Sequence, residues 1–272
     1  MRIAHIVLPN ASDYDRKSQK IDRAGLAASH EIIETTFEKA AETGAVLAHV
    51  YGPAGFTTPR ASQLPLPFVA SNPPRAARWN WPRRAMPSKV AGLDELPEAV
   101  EETFFDAHRD DFGARVSSPA HRYRVGTFDR GRPGVRNMVE QSLARIQRFR
   151  EDVEWHLFDS PPTPDDLATV DAWCDPATSA DDFDGFAAEA VVAGKVVVAS
   201  RVPINEKRLE KGRTGLLVPP NDPNELTHAI LSALFKSEVA EMKIEAARQT
   251  AGKFRPRQRL RVLEGLYQSL IR

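Results

Sequence analysis

With a single cysteine, Cys174, in 272 residues, the chain has no means of building a disulfide framework, and a reducing compartment is the simpler reading. Neither sign of charge is in excess: 37 Lys and Arg against 37 Asp and Glu give a formal net charge of zero. No global field recruits nucleic acid or an anionic membrane, so a charged ligand must be met locally. Long apolar runs are missing too. The opening "MRIAHIVLPN" is too short and too weakly basic for a signal peptide, and no stretch approaches the roughly 20 apolar residues of a membrane span. No Gly-x-Gly-x-x-Gly follows the first apolar run, which argues against a nicotinamide enzyme, and no metal-ligand cluster is visible. These absences point to a soluble, cytoplasmic protein without a resident cofactor.

What the sequence does contain is a series of short apolar runs separated by helical stretches. "IAHIVLP" (3–9) suits a buried parallel strand, Lys20 to Glu42 favours helix, and "AVLAHVYGP" (45–53) reads as a second strand. "PFVAS" offers a third strand, after which 72–89, dense in proline, reads as an irregular exposed loop. A second series opens near residue 122. "RYRVGTF" reads as a strand, "GVRNMVEQSLARIQRFR" as an amphipathic helix and "VEWHLFD" as another strand; "DAWCDPA", "KVVVAS" and "TGLLVPP" follow as three more. Asp222, Pro223 and Glu225 then specify a helix start, and the chain closes on a charged helix (238–252) and an amphipathic terminal helix. Alternation of this kind predicts an α/β protein with parallel sheets, in two open units: 1–118 and 119–272.

The stretch "DDFDGFAAEAVVAGKVVVAS" (181–200) sets three aspartates before a small-residue helix that Gly194 ends. A helix feeding a buried strand opens its N-terminus at the carboxyl edge of the sheet, where open α/β sheets bind ligands. The first-turn amides of Gly185, Phe186, Ala187 and Ala188 would suit a phosphate. Asp182 and Asp184 serve equally well as helix caps with no ligand. Glu189, a carboxylate among alanines and valines, has fewer structural reasons to be there.

The same stretch, continued by "EKGRTGLLVPPNDPNELTHAI", resembles the C-terminal half of the retaining family-4 (group 1 type) glycosyltransferases of the glycosyltransferase-B fold. Asp181, Phe183, Glu189, Gly194 and Val196–Ser200 keep that family's spacing, as do Gly212, Gly215 and Leu217 to Pro223. "VGTFDRGRPGVRNMVEQSLARI" resembles the strand, basic loop and helix that open its donor domain; "VDAWCDPA" resembles the strand before the acidic motif. "KFRPRQRLRVLEGLYQSL" resembles a terminal helix that crosses back to the first domain. The resemblance implies two Rossmann-like open sheets with the N-terminal, acceptor-side unit reduced. It implies hexose transfer, with retention, from a nucleoside diphosphate sugar as donor substrate to an unidentified glycan, lipid-linked sugar or small-molecule acceptor.

Carried over residue by residue, Glu189 would bind the donor ribose, Asp181 the sugar, and Arg132, with Gly126, Thr127 and the amides of Gly185–Ala188, the diphosphate. His49 becomes an acceptor-side candidate. The chain departs from the pattern in several places. Asp181 is one methylene shorter than the family's Glu, Thr127 replaces an Arg, Asp184 replaces a Gly, and the segment between "HLFDS" and "VDAWCDPA" is short. A register with Asp184 as the acidic residue shortens the spacing by three. The loop 75–89, rich in cations and carrying two tryptophans, could meet a membrane surface or an acidic acceptor, or pack on its own indoles. A non-catalytic descendant, binding a nucleotide sugar or acting as the partner subunit of a complete transferase, is the competing expectation, and an oligomer is possible.

Overall fold

The computed structural model describes residues 1–9, 11–52, 66–71, 90–92, 98–107, 120–129, 132–178 and 185–271. The chain divides into two compact units, Met1–Ala99 with Phe254–Arg272, and Val100–Lys253. Among the described residues no helix is long and apolar enough to cross a membrane.

The first unit begins with β1 (Arg2–Val7), α1 (Asp13–Leu26), β2 (Glu31–Thr35), β3 (Leu47–Tyr51), β4 (Phe68–Ser71) and β5 (Val90–Gly92). Their pairing is parallel throughout, in the order β2-β1-β3-β4-β5. Lys20 to Glu42, expected as helix, is corrected to three pieces: the end of α1, the strand β2 and a 3-10 turn at Ala40–Thr43. Helix α1 starts early because Ser12 and Asp15 form a reciprocal capping box. It yields to a strand where "EIIET" brings β-branched side chains together. The expected loop at 72–89 lies outside the described residues.

Parallel register sets His5 of β1 beside His49 of β3, and both side chains are fully buried. The His49 Nδ1 atom lies 2.7 Å from the Tyr267 hydroxyl and 2.8 Å from that of Tyr51. Tyr51 in turn donates to Asp22 at 3.1 Å. His5 meets its neighbours only through ring faces and edges: His49 at 5.5 Å and Tyr51 at 5.3 Å between centroids. Among the described residues neither of its ring nitrogens has a hydrogen-bond partner. Burial, with a smaller contribution from the Arg23 charge, pushes the His5 pKa down to about 3; burial also holds His49 well below the usual range.

The second unit contains α2 (Glu102–Ala107), β6 (Tyr123–Phe128), α3 (Pro133–Ile146), β7 (Val153–Phe158), α4 (Pro164–Ala168), β8 (Ala172–Asp175), α5 (Ala187–Val192), β9 (Val196–Ser200), α6 (Pro203–Arg208), β10 (Leu216–Val218), α7 (Pro223–Phe235) and α8 (Ser237–Thr250). Its parallel strands run β10-β9-β8-β6-β7. Every residue of β8 and β9 is buried, as expected of strands with both faces covered. Asp222 caps α7 as the sequence suggested, accepting from the amides of Asn224 and Glu225 at 3.0 and 3.1 Å. Helices α4 and α6 were not foreseen. The short segment between β7 and β8 folds into α4 because Thr163 and Asp166 cap each other.

The terminal helix α9 (Pro256–Ile271), expected to close the 119–272 unit while crossing back to the first domain, packs within the first unit against α1, β3 and β5. Its buried face is Arg259, Leu263, Tyr267 and Leu270, one side of the helix. Gly25 of α1 permits the close approach: a Cβ there would come within 2.2 Å of the Leu260 side chain. Arg259 forks onto the Asp22 carboxylate at 2.6 and 2.7 Å, both groups being almost completely buried.

Candidate functional site

The carboxyl edge of the second sheet gathers the polar side chains that the sequence singled out and several that it did not. Strand β6 ends at Phe128, and Asp129 follows it. The Asp129 carboxylate accepts from the Arg132 amide at 3.1 Å and from the Arg136 guanidinium at 2.9 and 2.6 Å, which turns the chain into α3. Pro133 then occupies the first helical turn, where its missing N–H costs nothing. This turn brings the Arg132 side chain back over the strand ends. Its Nη2 donates to the Phe128 carbonyl at 3.0 Å and lies 4.0 Å from the Asp175 carboxylate at the end of β8.

Asp175 is completely buried. Asn205 of α6 donates to it from Nδ2 at 2.9 Å and to the Ser200 carbonyl at 3.2 Å. The Arg208 guanidinium, also buried, stands 4.0 Å away on the opposite carboxylate oxygen. One carboxylate therefore sits between two guanidiniums. None of Asp175, Asn205 and Arg208 was a sequence candidate; only the folding of α6 against the end of β8 brings them together.

Helix α5 is buried along its whole length, and Glu189 lies in its first turn. Gly185, at φ 83°, takes the left-handed conformation that lets the chain enter the helix. Phe186 stands at the N-cap position without a side-chain cap, its ring edge-on to that of Phe128 at 4.9 Å. Ala187 and Ala188 are fully buried. Glu189 is 1% exposed, so its carboxylate belongs to the interior of this edge and not to solvent. Asp181, with Asp182 and Asp184, lies outside the described residues.

Two other candidates have packing duties. A Cβ on Gly126 would come within 2.9 Å of the buried Trp173 ring, so the missing side chain makes room for an indole. The Thr127 hydroxyl donates to the Cys174 carbonyl at 3.0 Å and accepts from the Trp155 indole at 2.8 Å, which commits it to the sheet. His49 requires a correction. The resembled architecture would turn it toward the cleft to meet acceptor or donor sugar, whereas a lone strand-end histidine more often has a structural role, and here the ring is fully enclosed in the first unit by Tyr51, Tyr267 and His5.

Residues 117–235 match the family described as "Glycosyl transferases group 1". A comparison with curated proteins finds no match. Solved structures are similar over the whole chain. A glycosyltransferase from Rickettsia africae ESF-5 is 12% identical with a TM-score of 0.66, covering 100% of this chain and 98% of that one. Sucrose-phosphate synthase from Thermosynechococcus elongatus is 14% identical with a TM-score of 0.64, covering 99% of each. Anabaena HepE in complex with UDP is 13% identical with a TM-score of 0.61, covering 99% of this chain and 100% of that one. The chain thus has the α/β architecture of the glycosyltransferase-B structures, and its segment 117–235 carries the sequence signature of the group 1 glycosyl transferases.

Proposed function

We propose that the protein transfers a hexosyl group, with retention of configuration, from a nucleoside diphosphate sugar to an acceptor. The observation that carries this reading is the group 1 match over 117–235, which spans Arg132, Asp175 and Glu189. In this reading Glu189 holds the donor ribose, Asp181 the sugar, and Arg132 with the first-turn amides of α5 the diphosphate. Departure of a diphosphate places negative charge on its bridging oxygen, and a guanidinium already ordered at the strand ends stabilises that charge without reorganising. Fixing donor and acceptor in one orientation supplies much of the remaining acceleration.

HepE, solved with UDP and with UDP-glucose, makes UDP the first nucleotide to try. Calorimetric titration with UDP, GDP, ADP and their hexose conjugates should give micromolar binding for one nucleotide, abolished in Glu189→Ala. Turnover with a broad acceptor pool separates the enzyme from a non-catalytic binder, a reading favoured by the shorter Asp181 in the acidic motif. Tight binding with no turnover on any acceptor would support the binder; no binding at all would refute both.

A further inference from the structure

A carboxylate at the end of β8 is costly. Cys174 and Ala177, close to Asp175 in the chain, are fully buried, and a buried anion needs compensation that a hydrophobic residue would not. The compensation takes a particular form. Asn205 and Arg208 hold one side of the carboxylate, and Arg132 lies on the other. Of the charged groups Asp175, Arg208 and Arg132, only Arg132, 19% exposed, reaches solvent, against 1% for Arg208 and 0% for Asp175. The Arg132 Nη2 atom is steadied by one hydrogen bond to the Phe128 carbonyl and by the charge of Asp175 at 4.0 Å on the neighbouring strand. A free arginine gives up rotamer freedom on meeting a ligand, and one already held gives up less. A lone carboxylate so close would also cancel the charge it orients. Arg208 offsets that: the three formal charges sum to +1, and the surplus resides on the exposed member.

We propose that Asp175 is a positioning residue that orients Arg132, and that Arg208 is its counter-ion, leaving Arg132 charged toward a diphosphate. This rests on the donor-site reading given above. The whole chain is tested as wild type, Asp175→Asn and Arg208→Gln. Titrations with UDP and with uridine are run beside NMR of the arginine side-chain Nε–H signals, with Arg132→Lys identifying the Arg132 resonance. In Asp175→Asn the Arg132 signal should collapse to that of a mobile guanidinium. UDP affinity should fall roughly tenfold, as for the loss of an orienting partner, with uridine affinity unchanged. Arg208→Gln should keep the ordered signal yet weaken UDP comparably, and this variant carries the test should Asp175→Asn fail to fold. An unchanged Arg132 signal with unchanged UDP affinity in Asp175→Asn would overturn the positioning role. Wild type that binds neither UDP, GDP nor ADP would overturn the diphosphate assignment, and the Arg132 signal would distinguish that outcome from a failure of positioning.

Discussion

Acidification should loosen the first unit through His5, and the size of the effect can be worked out. In the unfolded chain this histidine takes up its proton near 6.5, and in the folded chain only near 3. Its folded pKa is the lower one, so its contribution to stability is fully present above about 6.5 and is lost as the pH falls toward 3. Each pH unit in that window costs about 1.4 kcal/mol, which makes about 2 kcal/mol by pH 5. His49, shifted the same way, adds to the loss. The groups facing the pair, Tyr51, Tyr267, Asp22 and Arg259, offer no route to an ionised imidazole, since Arg259 already claims the Asp22 carboxylate. Amide hydrogen exchange of peptides covering Arg2–Val7 and Leu47–Tyr51 reads the local opening. Between about pH 7 and pH 5, after correction for intrinsic rates, protection should drop by at least about 25-fold. His5→Phe removes a buried group whose nitrogens have no described partner, so it should raise protection at both pH values and reduce the slope by one proton. An identical pH slope in wild type and His5→Phe would refute the reasoning.

Two further perturbations test the packing. Gly126→Ala drives a methyl into the enclosed Trp173 ring and Val170, and should destabilise the second unit by about 1–3 kcal/mol, read from the urea transition of Trp155 and Trp173 fluorescence. An unchanged midpoint would mean that the sheet yields there. Asp22→Asn leaves Arg259 buried and uncompensated and should cost the first unit about 3–5 kcal/mol; Asp22→Leu with Arg259→Met should recover much of it. Hydrogen exchange confined to the first unit checks both, and a double variant no better than Asp22→Asn would show that the ion pair was not the cause.

The parallel sheets were legible because fully buried strands are written as apolar runs: "KVVVAS" and "IAHIVLP" needed no tertiary information. The helix start at Asp222 was legible for a local reason as well, since its cap and proline are neighbours in sequence. Glu31–Thr35 was misread because charged, helix-favouring residues surround a short β-branched core whose strand identity depends on pairing with β1. At the site, Glu189 stood out as an acid in an apolar helix. Asp175 and Arg208 did not, because 33 positions separate two residues that only the packing of α6 against β8 makes neighbours. His5 was hidden in its apolar run. A histidine there reads as an ordinary strand residue until register sets it beside His49.

The return of α9 to the first unit has a consequence for how the chain is made. Residues 1–99 cannot complete their core until Arg259, Leu263 and Tyr267 have left the ribosome, and the entire 100–253 segment is translated in between. At about 5–20 residues per second that delay is roughly 10 to 30 seconds. Throughout it, the face of the nascent sheet formed by Ile3, Leu47 and Val69 lacks its covering helix, while the inserted unit has all of its own strands once Val218 has been made. The inserted unit can therefore complete its sheet before the first unit, synthesised earlier, can complete its core.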